Sequence, residues 1–451
     1  MKKYDEYKRV DEAIWYNTIP ENWNSTKMRE LFSERREKVS DKDFPPLSVG
    51  KMGVVPQLDS AVKSDNGDNR KLIKQGDFAI NSRSDRKGSG GMSKYDGSAS
   101  LIITVLRPHH ALNVDFYHYL LRSHYFSEEF YRNGKGLVSD LWTTKWEEMR
   151  NIYIPVPPRE EQDQIVRYLD WQVSRINRLI HGYQKQIKLL EERRQTVIEK
   201  CSTQGLNNTV EYKDSGTNWI PKIPTHWNMV YSKKLFTQRK DKAFDDDIQL
   251  TSSQKYGIIS QEEFIKTEGR RLTVVMTGND ILKHVSKGDF VISMRSFQGG
   301  LEYSYIDGKI SSAYVMLIPN KEKIYDEYFK WLLKSKSYIK ALQGTSDLVR
   351  DGQALRYANF AKVPLPEIPL DEQKKIADYI AVQVAKIDNT IPLLQKEIQL
   401  LREYRTRLIS DVVTGQVDVR DVVIPDYTLE DDTDAETDDV SDSEEVTDNA
   451  E

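Results

Sequence analysis

The sequence predicts an α/β protein in which two mixed, strand-rich globular domains are separated by two long antiparallel coiled-coil helices, with pseudo-two-fold symmetry between the halves. Three observations carry this. A proline phrase occurs twice, PVPPREEQDQIVRYLD from Pro155 and PEIPLDEQKKIADYI from Pro366, with Pro155/Pro366, Pro158/Pro369, Glu161/Glu372, Gln162/Gln373, Ile165/Ile376 and Tyr168/Tyr379 all 211 positions apart. Each copy opens an apolar stripe at coiled-coil spacing. Other phrases return in the same order: IPENWN at 19–24 with IPTHWN at 223–228, KQGDFAINSRS at 74–84 with SKGDFVISMRS at 286–296, and FYHYLLRS from Phe116 with YFKWLLKS from Tyr328. Trp15/Trp219 and Leu31-Phe32/Leu235-Phe236 keep the offset of the first pair. The repeat unit is therefore about 210 residues, a domain plus a helix.

The first head spans residues 1–156. Short strand patterns, GDFAIN and ASLIITVLRP, lie between Gly and Asp turns, and one short helix is expected near 115–132. Pro157 and Pro158 end it, since proline suits a first helical turn and the acidic residues after it oppose the positive end of the helix dipole. The central helix, 157–204, sets Leu169, Val173, Ile176, Ile180, Tyr183, Ile187, Leu190, Val197 and Cys201 on alternating steps of four and three, broken only by Arg194. The second head, 205–367, repeats the strands as GDFVIS and AYVMLIP, with a short helix near 326–341. The distal helix, 368–414, carries Ile380, Val384, Ile387, Ile391, Leu394, Ile398, Leu401, Leu408 and Val412, broken only by Arg405.

Arg194 and Arg405 are themselves 211 positions apart, so each either fixes register or snorkels at a frayed edge. Pro392 has no counterpart in the first helix and is expected to kink the second. A helix of roughly 60 Å exposes its seam unless partnered, and the other copy is the nearest partner. The result is a dumbbell with heads at opposite ends. Residues 415–425, VTGQVDVRDVVIP with its two preceding residues, are expected to return to the first head and close the chain into a ring. Residues 426–451 are expected to be disordered, because a polar acidic segment buries too little apolar surface to offset ordering.

Composition bounds the function. Of 451 residues, 38% are hydrophobic and 30% charged, with mean hydropathy -0.65. No apolar run reaches the roughly 18 residues of a bilayer helix, and MKKYDEYKRV lacks the apolar core of a secretory signal, so a cytoplasmic address is expected. A lone cysteine, Cys201, forbids an intrachain disulfide framework, and the seven histidines lack partners at zinc-ligand spacing. The net charge of -4 hides two regions: residues 426–451 hold 13 of the 70 acidic residues and no basic ones, leaving residues 1–425 at +9. A basic body suits nucleic acid, and the tail acts as a solubility segment or competes with DNA phosphates.

Catalytic motifs are not found. The Pro-Pro pairs, FPPL and VPPR, lack the Asn or Asp and the aromatic of an amino-methyltransferase loop. RKGSGGM at 86–92 lacks phosphate-loop spacing, DEQK and its copy EEQD read as helix starts rather than nuclease fragments, and His109-His110 reads as a loop feature. No cofactor or metal is implied. Candidate DNA contacts are Arg83 and Arg295 after the GDF strands, Arg86, Lys87 and Gln298 in the following Gly-rich turns, and Lys51 and Lys255 in GKMG and QKYG. Arginine forks onto guanine, glutamine pairs with adenine, and lysine mostly meets phosphate. The tryptophans Trp15, Trp23, Trp219 and Trp227 read as core.

Duplex DNA shares the dyad, and equivalent readers sit about 34 Å apart along it. With IPENW/IPTHW, KDSGTNWI before the second copy, the GDF phrase, the proline-Glu-Gln helix start, and EKCSTQGL and SDVVTGQVDV closing the helices, the chain from about residue 8 to 420 resembles the specificity subunit of type I restriction-modification enzymes. The resemblance implies two target-recognition domains reading an asymmetric bipartite target on double-stranded DNA. It also implies partners, two methyltransferase subunits and the restriction subunits, which carry the chemistry, so that this chain is not itself an enzyme. The acidic tail departs from that pattern. The competing readings are a coiled-coil adaptor and the DNA-binding part of another modification enzyme.

Overall fold

In a computed structural model, the structure describes residues 2–57, 67–83, 88–109, 112–136, 142–207, 209–253, 255–269, 282–293, 301–345 and 356–430. Both heads use one plan. In the first, an antiparallel sheet runs in the order Gly90–Met92, Phe78–Asn81, Ile103–Pro108, Phe32–Glu34. In the second the same places are taken by Glu302–Tyr303, Phe290–Ser293, Tyr314–Pro319 and Phe236–Gln238. The GDF strand is central and buried in both, which is why it reads as continuously apolar. A hairpin sits beside each sheet, Leu47–Gly50 with Gly53–Pro56 and Leu250–Ser253 with Gly257–Ser260. Between this hairpin and the GDF strand the repeat offset grows by eight positions, and the second head has a helix in that interval, Gln261–Glu268, N-capped by Ser260.

The single short helix expected in each head is two helices, Val114–Arg122 with His124–Arg132, and Asp326–Leu332 with Lys336–Gln343. Apolar spacing alone runs across the break. Ser123 and Ser335 interrupt it: each adopts extended backbone and its hydroxyl caps the following helix, accepting from Phe126 N and Tyr338 N. Trp23 and Trp227 are fully buried. Trp15 and Trp219 are partly exposed, and their indoles donate to Tyr153 O (2.8 Å) and Pro364 O (3.1 Å) on the strand before each long helix.

The long helices are Arg159–Gln204 and Leu370–Val413. The second passes through Pro392 without interruption. The chain divides into two compact units, Met1–Gln184 with Leu394–Glu451, and Lys185–Leu393. Each unit combines one head, the start of the helix that leaves it, and the end of the other helix, because a lone helix leaves its apolar stripe in water.

In the first unit the helix end packs on the head through Gly415. Its backbone is left-handed (φ 74°), and a Cβ there would lie 2.4 Å from Pro20 Cδ and 3.2 Å from Trp23. Beyond it, Asp418 N donates to Lys2 O (3.0 Å), Tyr7 Oη donates to Gly415 O (3.0 Å), and Arg420 lies over the Tyr4 ring at 4.7 Å. The residues after 425 are not all free, which corrects the expectation for the start of the tail. Glu430 N donates to Ser174 Oγ (3.0 Å), Asn177 Nδ2 donates to Glu430 O (3.1 Å), and His181 Nδ1 lies 3.0 Å from Glu430 Oε1. Short polar side chains on this helix face supply backbone partners that composition does not reveal; residues 431–451 lie outside the described residues. In the second unit Gly205 (φ 75°) takes the equivalent place, with a Cβ 3.3 Å from Trp227.

Candidate nucleic-acid interface

The opening proline phrase ties each long helix to its head. Gln162 Nε2 donates to Pro157 O (2.8 Å) and Gln373 Nε2 to Ile368 O (2.8 Å), closing the proline loop. Glu161 accepts from Asn22 Nδ2 (3.0 Å), and Glu372 meets His226 Nε2 (2.8 Å), so each glutamate holds the IPxxW loop. Tyr4 Oη also donates to Glu161, in a buried contact.

The GDF phrase is an anchor. Arg35 Nε donates to Asp77 Oδ2 (2.6 Å) and its Nη2 to Oδ1 (3.0 Å); Arg239 repeats this fork on Asp289 at 2.6 and 3.0 Å. Each aspartate also accepts a turn N–H, Lys74 N (2.8 Å) or Ser286 N (2.9 Å). The fork holds the Arg35 guanidinium above its ordinary pKa, against the opposing effect of burial. These arginines were not singled out from the sequence, although both lie at the IPxxW offset of 204.

From this anchor the GDF strand leads to Arg83, which is exposed and forms a bridge with Thr143. Lys51 sits partly exposed in the hairpin turn before Gly53, whose φ of 99° only glycine adopts readily. Lys255 occupies the matching turn, 72% exposed at the side chain, 3.2 Å from Glu268 and over the Tyr256 ring at 4.8 Å. The structure therefore puts Lys51 and Lys255 on equivalent hairpins. Arg86, Lys87, Arg295 and Gln298 lie outside the described residues.

Behind each hairpin stand two partly buried polar side chains of the FYHYLLRS/YFKWLLKS phrase. In the first head His118 Nδ1 lies 3.2 Å from Met92 N, its Nε2 lies 2.8 Å from Arg122, and Arg122 Nη2 donates to Lys51 O. Burial first, then Arg122 and Lys94, push His118 down to about 3, so it is neutral at physiological pH and accepts from one of its two neighbours. In the second head Lys334 Nζ is 2.6 Å from Glu302 Oε2, and Lys330 lies over the Tyr303 and Tyr305 rings at 5.0 and 4.8 Å.

The helix residues named from periodicity divide between the units. In the first, Ile176 and Ile398 are buried, Tyr183, Leu394 and Leu401 are partly buried, and Arg405 Nη1 donates to Asn177 Oδ1 (2.6 Å). In the second, Ile387 is buried, Ile187 and Leu190 are partly buried, and Arg194 Nε donates to Asp388 Oδ1 (2.8 Å). Asn177 and Asp388 are 211 positions apart, as the arginines are. Each arginine therefore has a polar partner on the antiparallel helix. Among the described residues no group of His, Cys, Asp and Glu could hold a metal, and no helix is long and apolar enough to cross a membrane.

Comparison with known proteins meets the same architecture. A chain from work on complex assembly and conformational transition of the type I R-M system superposes with a TM-score of 0.66 at 14% identity, covering 89% of this chain and all of that one. The HsdS subunit of Thermoanaerobacter tengcongensis gives 0.51 at 16% identity, over 90% of this chain and all of that one. Two proteins of Methanocaldococcus jannaschii are similar in sequence. One, provisionally assigned as the type I restriction enzyme MjaX specificity subunit, is 23% identical over 89% of this chain and 95% of its own length. The other, the type I restriction enzyme MjaVIII specificity subunit, is 27% identical over 60% of this chain and 64% of its own length. The family model described as the type I restriction modification DNA specificity domain matches residues 20–189 and again 224–402, and so the chain belongs to that family, with two target-recognition domains of a type I specificity subunit.

Proposed function

We propose that the two heads read the two unlike halves of one asymmetric, bipartite duplex target, and that the chain does no chemistry itself but places partner subunits on that target. Those partners are two copies of a methyltransferase subunit and the restriction subunits, in the cytoplasm. The observation that carries this reading is a duplicated framework with different surfaces. The Arg35–Asp77 and Arg239–Asp289 forks have matching geometry, whereas the hairpin turns read GKMG and QKYG. Selection for two rigid platforms bearing different polar turns is what two-part sequence reading requires. In this reading Arg83 contacts base edges, and Lys51 and Lys255 contact phosphates. Lys255 can exchange Glu268 for a phosphate at little cost, since exposed ion pairs contribute little.

The test is to co-express the chain with its neighbouring methyltransferase and map methylated adenines genome-wide. A two-part motif with a fixed gap, changed in one half when residues 10–155 are exchanged for those of a relative, supports the reading. Absence of site-specific methylation returns the chain to the adaptor class.

A further inference from the structure

Each head stacks three layers in the same order: a helix, the strand after the GDF strand, and the lysine hairpin. In the first head the strand is Gly90–Met92 and lies so close to the hairpin that a Cβ on Gly91 would be 3.0 Å from Gly53 Cα. In the second, the strand Glu302–Tyr303 lies against Gly257, whose Cβ would be 3.6 Å from Glu302 Oε2, and Ser304 bridges to Ile258. The helix sends one cation into each stack, to the hairpin itself in the first head and to the middle strand in the second. Arg122 Nη2 donates to the carbonyl of Lys51 itself, and Lys334 Nζ, 2.6 Å from Glu302, neutralises the carboxylate beneath the second turn. Arg122 and Lys334 are 212 positions apart, as the GDF strands are, so the strut is kept while its far end differs.

We infer that Arg122 and Lys334 are positioning residues that set the height of the Lys51 and Lys255 turns over the duplex, each acting on one half-site only. The inference rests on the DNA-recognition reading above. A phosphate contact needs its donor placed within a fraction of an ångström, so a side chain that holds the backbone of the Lys51-Met52 turn bears directly on where the lysine reaches. Arg122 holds that turn by its backbone, so it fixes the lysine without competing for its charge. In the second head burial pushes the Glu302 carboxyl up while Lys334 opposes it; with Lys334 gone, the carboxylate loses its counter-charge below Gly257. A positioning role differs from a purely structural one in its reach: it alters one half of the target and spares the other.

The experiment uses the full chain with its methyltransferase, measuring methylation rates on the target and on single-base variants of each half. Arg122→Met lowers methylation about tenfold, the weight of one charge-assisted hydrogen bond, and flattens discrimination in the half read by the first head alone. Arg122→Lys restores most of it. In the second head the double variant Lys334→Met with Glu302→Gln avoids a stranded buried charge and gives the converse pattern. Thermal unfolding run alongside shows midpoints within a few degrees of the parent. Unchanged rates, or equal losses in both halves, overturn the inference, and if Arg122→Met fails to fold, the second-head pair decides it alone. A parent chain that yields no bipartite pattern refutes the recognition reading instead.

Discussion

Replacing Asp77 by alanine removes the acceptor of a buried arginine fork, and the second head supplies an internal comparison. The Arg35 and Asp77 side chains are 8% and 2% exposed, so among the described residues the guanidinium left behind keeps only Glu37 as a carboxylate partner, at 3.4 Å and 57% exposed. Breaking one partner out of a buried pair costs about 3–5 kcal/mol. Asp77 also accepts from Lys74 N, and that loss is included in the same change. In the second head Arg239 is 16% exposed and keeps Asp241 at 2.8 Å, so Asp289→Ala should cost less, about 2–3 kcal/mol. For units of roughly 200 residues these correspond to falls of about 6–20 °C and 4–12 °C in the midpoint of the affected unit. Calorimetry gives the sizes, and hydrogen exchange of peptides around each GDF strand shows which unit has loosened. An Asp77→Ala chain within about 1 kcal/mol of the parent, or Asp289→Ala the more damaging of the two, would refute the claim that these forks anchor the heads.

Three further outcomes follow from the contacts. Gly415→Ala should destabilise the first unit by about 2–4 kcal/mol, combining left-handed strain with a clash on the rigid Pro20 ring, while Gly205→Ala costs about 1–2 kcal/mol because its neighbours stand 3.3 Å or more away; thermal melts rank the two. Asp418 has its pKa lowered from 3.8, chiefly by the Arg420 side chain, so its contribution to the return segment is complete above about pH 4 and fades as pH falls through the lower folded-state value; exchange of the Asp418 amide against pH measures this, and protection lost already between pH 5 and 7 would contradict it. Arg405→Ala strands the buried Asn177 carbonyl and costs about 1–3 kcal/mol, whereas Arg194→Ala, whose partner Asp388 is 49% exposed, costs about 0.2–1 kcal/mol by chemical denaturation.

The duplication was legible because internal repetition compares the chain with itself. Spacing found both long helices, and the IPxxW and proline-Glu-Gln phrases marked places that the structure joins through Glu161–Asn22 and Glu372–His226. What stayed hidden was pairing across the chain. Periodicity marks Arg194 and Arg405 as breaks but carries no information on what lies opposite, so Asp388 and Asn177 emerged only with the antiparallel register. The same holds for Arg35 and Arg239: a buried arginine looks like any surface cation until its aspartate is placed beside it. Composition also misjudged the first residues of the acidic tail. Glu430 is ordered by Ser174, Asn177 and His181, and in the second helix the corresponding residues are Ala385, Asp388 and Pro392. Nothing in the tail itself signals that contact. The DNA-facing residues are the least legible, because strand patterns fix the platform and leave the directions of turn side chains open.

The two units differ in one respect that turns their likeness into a test. Tyr212 Oη donates to Gln204 O (3.3 Å), so the hairpin Tyr212–Asp214 with Lys222–Pro224 is pinned to the helix end that precedes it in the chain. Tyr7 Oη donates to Gly415 O (3.0 Å), and the hairpin Tyr7–Arg9 with Thr18–Pro20 is pinned in the same way to a helix end more than 400 residues later. The first unit thus has the contacts of the second without the covalent link. If those contacts rather than connectivity hold the helix ends, the link can be moved. A chain joined from Val422 to Lys2 through a few Gly and Ser residues and opened at Asn207 should fold like a parent truncated after Val422, because closing one short loop and opening another changes loop entropy by less than about 1 kcal/mol. Its melting midpoint should stay within a few degrees, and with the methyltransferase it should methylate the same target although its heads now follow each other in reverse order. A permuted chain that is unfolded while the truncated parent is intact would mean that the covalent link at 205–211, and not the tyrosine and glycine contacts, holds the second helix end in place.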